Sequence, residues 1–187
     1  MMDTVMFIVL GTLGATTPLL FAALGEMVAE RSGVLNLSIE GMMATGAAVG
    51  FAVATLSHSH AFGFLAGSLA AAALSLVFGL LVLVFLANQV AAGLAIGLLG
   101  LGVSALIGKP FEGNTIVALG KLDILGLAHV PIIGPILFGQ DVVVYAGVAL
   151  IPTMAWVFRR TKLGLIIRAV GEAPMTARDI GYSVRVA

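Results

Sequence analysis

No aspartate, glutamate, lysine or arginine occurs between Glu40 and Lys109. A soluble domain carries roughly 25% charged residues, most of them on its surface, whereas this chain has 10% charged and 60% hydrophobic residues. Its mean hydropathy is +1.17. Too few polar side chains remain to cover a surface that faces water, so the sequence predicts an integral membrane protein.

Five apolar runs are long enough to cross about 30 Å of hydrocarbon as helices, at about 1.5 Å per residue. We therefore predict an all-α, polytopic membrane protein with about five transmembrane helices. The predicted spans are residues 4–24, 35–56, 61–87, 90–107 and 142–158. Pro18 lies inside the first span, where it removes the hydrogen-bond donor for the carbonyl of Gly14. That span has no basic segment before it, so we interpret it as a retained helix rather than a cleaved signal peptide.

The segment 30–40, Glu-Arg-Ser-Gly-Val-Leu-Asn-Leu-Ser-Ile-Glu, separates the first two apolar runs. A carboxylate at the mouth of a span is costly unless it caps a helix, pairs or faces water. We therefore predict a polar hinge, in which one helix ends near Ser32 and the next begins. Asn36 or Ser38 is the predicted N-cap, and Glu40 falls in the first turn, where the helix dipole favours an anion.

The distribution of basic residues predicts how the chain is oriented. Seven of the nine Lys and Arg residues fall on one side of the five spans, and two fall on the other. The first group is Arg31, Arg159, Arg160, Lys162, Arg168, Arg178 and Arg185, and the second is Lys109 and Lys121. By the positive-inside rule, the hinge and the C-terminal tail are cytoplasmic and the N-terminus is outside. The segment 109–140, with three prolines, is interpreted as an ordered external loop or a partly re-entrant segment.

Several classes of function have no support in the sequence. There is no His-Glu-x-x-His, Gly-x-Ser-x-Gly or Gly-x-x-x-x-Gly-Lys-Ser/Thr motif, and no cysteine. We therefore expect neither an enzyme nor an ATPase that powers itself, and no cofactor or metal. His58 and His60 are interpreted as loop residues rather than metal ligands. No basic block suggests nucleic acid.

Small residues recur at four-residue spacing inside the spans. The pairs are Gly46/Gly50, Gly63/Gly67 and Gly93/Gly97. Such pairs favour close approach of two helices in a membrane. With 24 glycines in the chain, chance spacing is the alternative.

The C-terminal tail contains residues that typically start and end a short helix. Pro174 and Gly181 bracket a predicted helix over residues 174–180, because proline favours the first turn and glycine the position after the last. A helix this short needs a partner surface to be stable. The alternative is a solvated tail without a partner.

Four stretches, in order along the chain, resemble one protein family. They are residues 21–26, Phe-Ala-Ala-Leu-Gly-Glu; 30–43, the hinge followed by Gly-Met-Met; 88–97, Asn-Gln-Val-Ala-Ala-Gly-Leu-Ala-Ile-Gly; and 168–174, Arg-Ala-Val-Gly-Glu-Ala-Pro. The chain resembles the permease subunits of bacterial ABC importers in the group that handles branched-chain amino acids, simple sugars and nucleosides. It is most similar to the nucleoside and simple-sugar branch. The resemblance implies one transmembrane permease domain over residues 1–187, in the cytoplasmic (inner) membrane.

The resemblance also implies partners and site residues. The partners are a separate ATP-binding cassette ATPase, a second permease subunit in a homodimer or heterodimer, an extracytoplasmic solute-binding protein and the lipid bilayer. A cytoplasmic coupling segment within residues 159–187 would dock on the ATPase through Gly171, Glu172, Ala173, Pro174, Met175, Ile180 and Gly181. Candidates for the solute path are Asn36, Ser38, Glu40, Asn88 and Gln89.

Family members continue with further spans beyond the coupling segment. The sequence therefore suggests a fragment, a truncated product, or a permease whose other half is a separate chain. A truncated scaffold or assembly subunit that does not transport is the alternative function. A secondary carrier or channel is less favoured, because Glu40 is the only carboxylate near the interior of the spans.

Overall fold

The structure is a computed structural model that describes residues 2–122 and 133–173. The described residues form helices and connecting loops, with no strand among them. The α-helices are α1 (Met2–Arg31), α2 (Ile39–Ser57), α3 (His60–Gly79), α4 (Gln89–Gly108), α5 (Ile133–Leu137), α6 (Val142–Arg160) and α7 (Lys162–Glu172).

Five helical segments of the described chain are long and apolar enough to cross a membrane. They are Thr4–Arg31, Ile39–Ser57, His60–Val84, Gln89–Phe111 and Val142–Arg160. The all-α class with five membrane-spanning helices is thereby confirmed. With five residues, α5 is too short to span.

The first helix is longer than its apolar run predicts. We expected the span to end near residue 24, but α1 continues through Glu26 to Arg31. Charged side chains leave the backbone hydrogen bonds of a helix intact, and a basic residue in the last turn is favoured by the helix dipole. The end of α1 is therefore determined by Gly33, whose φ of 86° is incompatible with a continued helix.

The segment after α6 also differs from the prediction. Arg159 and Arg160 still belong to α6, and a further helix, α7, follows after Thr161. The turn is tight: a Cβ atom on Gly164 would lie 2.5 Å from the Cα of Phe158. The sequence analysis predicted no helix between Lys162 and Glu172, where the structure has α7.

The chain forms two compact units. The first comprises Met1–Val28 and Ala118–Arg168, and the second comprises Ala29–Val117 and Ala169–Ala187. In the first unit, Gly147 of α6 packs against α1, because an added Cβ would lie 3.3 Å from Leu20 Cδ2 and 3.4 Å from Phe21 Cε2. Asp141 caps α6 by accepting hydrogen bonds from the N–H groups of Val143 and Val144, both at 2.9 Å.

In the second unit, α2 packs closely against α3 and α4. A Cβ on Gly46 would lie 3.1 Å from the carbonyl oxygen of Gly67, and one on Gly50 would lie 3.1 Å from that of Gly63. Both predicted pairs therefore mark a real helix contact, as expected for small residues at membrane helix interfaces. A cluster of buried apolar residues completes this core: Met42, Phe78, Val82, Ala92 and Ile96.

The link from α3 to α4 is irregular. A π-helical turn, Leu80–Val84, follows α3, and Leu86 then has a φ of 53°. A positive φ is unusual for a bulky residue and carries strain. The predicted third span, which we extended to residue 87, therefore ends earlier in irregular backbone.

Candidate functional site

The hinge begins with a glycine-terminated helix end. The N–H of Val34 donates to the carbonyl of Ala29, and the N–H of Gly33 donates to the carbonyl of Glu30, both at 3.0 Å. Together with the positive φ of Gly33, this pair of bonds defines a Schellman motif. The motif satisfies carbonyls at the end of α1 and turns the chain sharply. The predicted break at Ser32 and Gly33 is thus explained by backbone geometry.

Asn36 and Ser38 are joined by hydrogen bonds. The Asn36 Oδ1 atom accepts hydrogen bonds from the N–H of Ser38 at 3.0 Å and from its hydroxyl. Ser38 is fully buried, with 0% of its surface exposed. The pair forms a closed local turn immediately before α2.

The predicted capping by these residues is only partly correct. Ser38 does occupy the N-cap position of α2, but its side chain makes no capping hydrogen bond. Its φ of −95° and ψ of 3° lie outside the β region in which a serine oxygen reaches the first free N–H groups. Glu40 lies in the first turn, as predicted, and its side chain is exposed.

The hinge lies against the beginning of α4. The Gln89 Oε1 atom accepts a hydrogen bond of 2.8 Å from the N–H of Leu35, a residue 54 positions away in sequence. A Cβ on Gly93 would lie 2.9 Å from the nitrogen of Leu37, and one on Gly97 would lie 3.5 Å from the Leu37 carbonyl oxygen. The predicted pair Gly93/Gly97 therefore makes room for the hinge, and Gly97 also lies against α2, because a Cβ on Gly41 would lie 2.8 Å from the Cα of Gly97.

Asn88 has a structural role that the sequence analysis did not assign. Its Oδ1 atom accepts hydrogen bonds from Val90 N–H at 3.0 Å and Ala91 N–H at 3.1 Å, so it caps α4. Such caps contribute about 1 kcal/mol. The structure thus places Asn88 and Gln89 beside the hinge, and each uses its side-chain oxygen within the chain.

A close backbone contact between α2 and α4 near the site was not predicted. A Cβ on Gly100 would lie 2.5 Å from the carbonyl oxygen of Gly41 and 2.8 Å from its Cα atom. Thr45 adds a buried hydrogen bond of 2.9 Å from its hydroxyl to the Gly100 carbonyl. The small residues Gly41 and Thr45, four positions apart, are the signal that sequence reasoning passed over. That they contact Gly100 of α4 depends on how the two helices are aligned, which the sequence does not show.

The structure describes only some of the predicted coupling residues. Pro174, Met175, Ile180 and Gly181, and with them the predicted helix 174–180, lie outside the described residues. Glu172 is the last residue of α7, a helix that the sequence analysis did not predict. Helix C-termini disfavour a carboxylate. Ala173 follows α7 and is exposed.

Gly171 packs against the hinge. A Cβ on Gly171 would lie 2.9 Å from the nitrogen of Gly33 and would also clash with the carbonyl oxygen of Arg31. Conversely, a Cβ on Gly33 would lie 3.2 Å from the Cα of Gly171. The end of α7 and the hinge are therefore in direct backbone contact within the second unit.

His58 and His60 were both interpreted as loop residues, but His60 is the first residue of α3. His58 is the C-cap of α2 in the left-handed conformation, with a φ of 53°. The His60 Nε2 atom lies 2.7 Å from the carbonyl oxygen of Val117. Within the described chain, no three potential metal ligands come together.

Comparison with known proteins identifies the family. A family model described as the permease component of the branched-chain amino acid transport system matches residues 8–187. The chain is 36% identical, over 92% of its length, to "Putative glucose ABC transporter permease protein TsgC13" of Haloferax volcanii. It is 34% identical over 95% of its length to "Guanosine ABC transporter permease protein NupQ" of Bacillus subtilis. It is 28% identical over 97% of its length to "Nucleoside ABC transporter permease protein NupC" of Lactococcus lactis.

The match covers nearly all of this chain but only part of each relative. The chain spans 54% of the Haloferax protein, 59% of the Bacillus protein and 61% of the Lactococcus protein. No solved structure matches the chain significantly. A family match over residues 8–187 confirms the resemblance noted in the sequence. The chain is therefore a multi-pass membrane protein that belongs to the permease-component family of branched-chain amino acid transport systems.

Proposed function

We propose that the chain is the membrane-spanning permease subunit of an ABC importer that carries a small polar solute across the cytoplasmic membrane. A nucleoside or a simple sugar is the proposed solute. The observation that carries this proposal is the family match over residues 8–187, together with relatives named for glucose, guanosine and nucleosides. Residues 1–187 are proposed to act as a transmembrane permease domain.

The proposed energy source is a separate ATP-binding cassette subunit, because the chain contains no phosphate-binding loop motif. A second permease subunit and an extracytoplasmic binding protein complete the proposed assembly. Docking of the ATPase is assigned to residues 171–181, whose first residue, Gly171, contacts Gly33. A movement of this segment would displace the hinge, because the two backbones touch.

The hinge and the start of α4 are the proposed cytoplasmic part of the solute path. Polar groups gather there in an otherwise apolar region, as the bonds from Gln89 to Leu35 and between Asn36 and Ser38 indicate. Ser38 is buried, so its role would be to position Asn36. Glu40 is exposed and is the carboxylate best placed to meet a solute or water.

Rigid-body movement is favoured for α2 and α4. Their backbones touch at Gly41 and Gly100, and Thr45 adds a buried hydrogen bond to the same contact. Close-packed helices of this kind shift as units rather than deform. A displacement of the hinge would therefore carry both helices with it.

The proposed orientation has the N-terminus outside and the hinge and α7 in the cytoplasm, and cysteine labelling tests it. The chain has no cysteine, so a single introduced thiol reports without background. In intact cells, Ser59→Cys is expected to react with a membrane-impermeant maleimide, whereas Thr161→Cys is expected to react only after permeabilisation. The positive-inside rule gives this pattern. The opposite pattern would invert the proposed topology.

Uptake by the complete transporter tests the proposed function. Cells that contain this chain with the other components of its transporter are expected to accumulate a labelled nucleoside or monosaccharide, and cells without this chain are not. The control is a panel of labelled branched-chain amino acids, which the sugar and nucleoside relatives do not suggest. Preferential uptake of those amino acids would redirect the solute assignment.

The alternative function is a non-transporting scaffold or assembly subunit. It predicts that the remaining components transport equally well without this chain once they are brought to the same level in the membrane. Quantifying those components by immunoblot alongside uptake separates the two functions. Loss of uptake at unchanged component levels supports the permease.

A further inference from the structure

The first unit contains an open cavity of about 260 Å³ between α1 and the beginning of α6. Its wall is mostly apolar and includes Gly14, Thr17 and Pro18 of α1, with Asp141 and Val144 on the other side. Pockets for drug-sized ligands measure about 300–1,000 Å³ and are mainly apolar with a few polar groups. A slightly smaller cavity of the same character suits a single small ring.

The α1 wall offers a backbone acceptor. Pro18 has no N–H group, so the carbonyl of Gly14 lacks the donor that a helix normally supplies. A free carbonyl within a membrane span is costly unless it meets protein, water or a ligand. The neighbouring Thr17 directs its hydroxyl hydrogen to the Leu13 carbonyl at 2.9 Å, so it does not satisfy Gly14.

The α6 wall offers a carboxylate. Both hydrogen bonds to the Asp141 side chain use the Oδ1 atom, which caps the helix. In the described chain, no residue donates a hydrogen bond to the Oδ2 atom of Asp141. The second oxygen is therefore available to a donor that enters the cavity.

We propose that this cavity is a subsite for the sugar ring of the transported solute. This inference rests on the proposed function and adds to it the place where the solute binds. The polar groups of the wall are acceptors, which suit hydroxyl donors, and hydrogen bonds to a carboxylate are stronger than neutral ones. Glucose and guanosine, for which two relatives are named, share a sugar ring with several hydroxyl groups.

Two glycines of α1 provide a matched test by steric block. Both Gly11 and Gly14 have open space where a Cβ would be added, with no atom within 4 Å, but only Gly14 lines the cavity. In the complete transporter, Gly14→Leu is expected to raise the KM for uptake at least tenfold. Gly11→Leu is expected to leave the KM within twofold of wild type. Both variants are compared at equal membrane levels and with matched thermal unfolding.

Asp141 gives an independent test that does not depend on steric block. Asp141→Asn keeps the oxygen that caps α6, because asparagine and aspartate are comparable N-caps, but it removes the charge. It is expected to raise the KM about tenfold with an unchanged melting temperature. If Gly14→Leu does not accumulate in the membrane, the KM of Asp141→Asn still tests the subsite.

The outcomes separate this inference from the proposed function. Suppose that the wild-type transporter takes up the solute. Equal KM values for Gly14→Leu and Gly11→Leu, or for Asp141→Asn and wild type, then overturn the subsite and leave the permease assignment intact. Absence of sugar and nucleoside uptake by the wild-type transporter overturns both. A KM increase confined to the two cavity variants, with unchanged protein levels, supports the subsite.

Discussion

Gly100→Ala is expected to destabilise the protein by about 3 kcal/mol, near the upper end of the usual cost of overpacking a core. The added methyl group would lie 2.5 Å from the carbonyl oxygen of Gly41. Backbone atoms cannot rotate away as a flexible side chain does, so α2 and α4 have to separate. Separation also breaks the buried bond from Thr45 to the Gly100 carbonyl. Thermal unfolding of the purified protein in detergent should show a melting temperature lower by about 6–12 °C.

The control for this prediction is Gly102→Ala on the same helix. Gly102 has no atom within 4 Å of an added Cβ, and alanine is more favourable than glycine inside a helix by about 0.5–1 kcal/mol. The control variant should therefore unfold at the wild-type temperature or slightly above it. Equal losses in both variants would show that glycine at position 100 is not required by contact with α2.

Gly171→Leu is expected to have the second largest effect, and we expect it to lower the stability of the protein itself. Its side chain would enter the contact with Arg31 and Gly33, so the hinge and the end of α7 would be forced apart. We expect a lower melting temperature of the isolated protein, by an amount comparable to Gly100→Ala. Uptake should fall even where the ATPase still copurifies.

Ala173→Leu separates docking from folding. Ala173 is exposed in the structure, so a larger side chain there should leave the melting temperature unchanged. If residues 171–181 dock on the ATPase, this variant should copurify less ATPase and uncouple hydrolysis from uptake. Normal copurification and normal solute-stimulated hydrolysis in Ala173→Leu would remove the coupling assignment from this segment.

The number of spanning helices follows from the sequence, because transfer into a bilayer depends on the apolar length of each run. The charge-free stretch between Glu40 and Lys109 accommodates three spans, and the structure has α2, α3 and α4 there. Helix ends were less predictable. The α1 helix passes beyond Glu26, because its end is determined by the Schellman motif at Gly33 rather than by charge.

The candidate site was only partly accessible to sequence reasoning. Polar residues in an apolar chain marked the hinge and the start of α4 as separate features. Their contact depends on a bond between Gln89 and Leu35, which are 54 residues apart, and no local pattern encodes a partner at that distance. For the same reason, the backbone contact between Gly171 and Gly33 was not predicted, and the docking role of Gly171 stays a prediction.

Composition and spacing alone therefore determine that the chain enters the membrane, how many helices of the described residues are long and apolar enough to cross it, and which family it resembles. These properties depend on each segment by itself. Helix register, by contrast, is a property of pairs of segments. Only the packing of the folded chain decided which glycine contacts which backbone, as Gly41 contacts Gly100. It also decided the roles of the side-chain oxygens: that of Asn88 caps α4, and that of Gln89 binds the hinge.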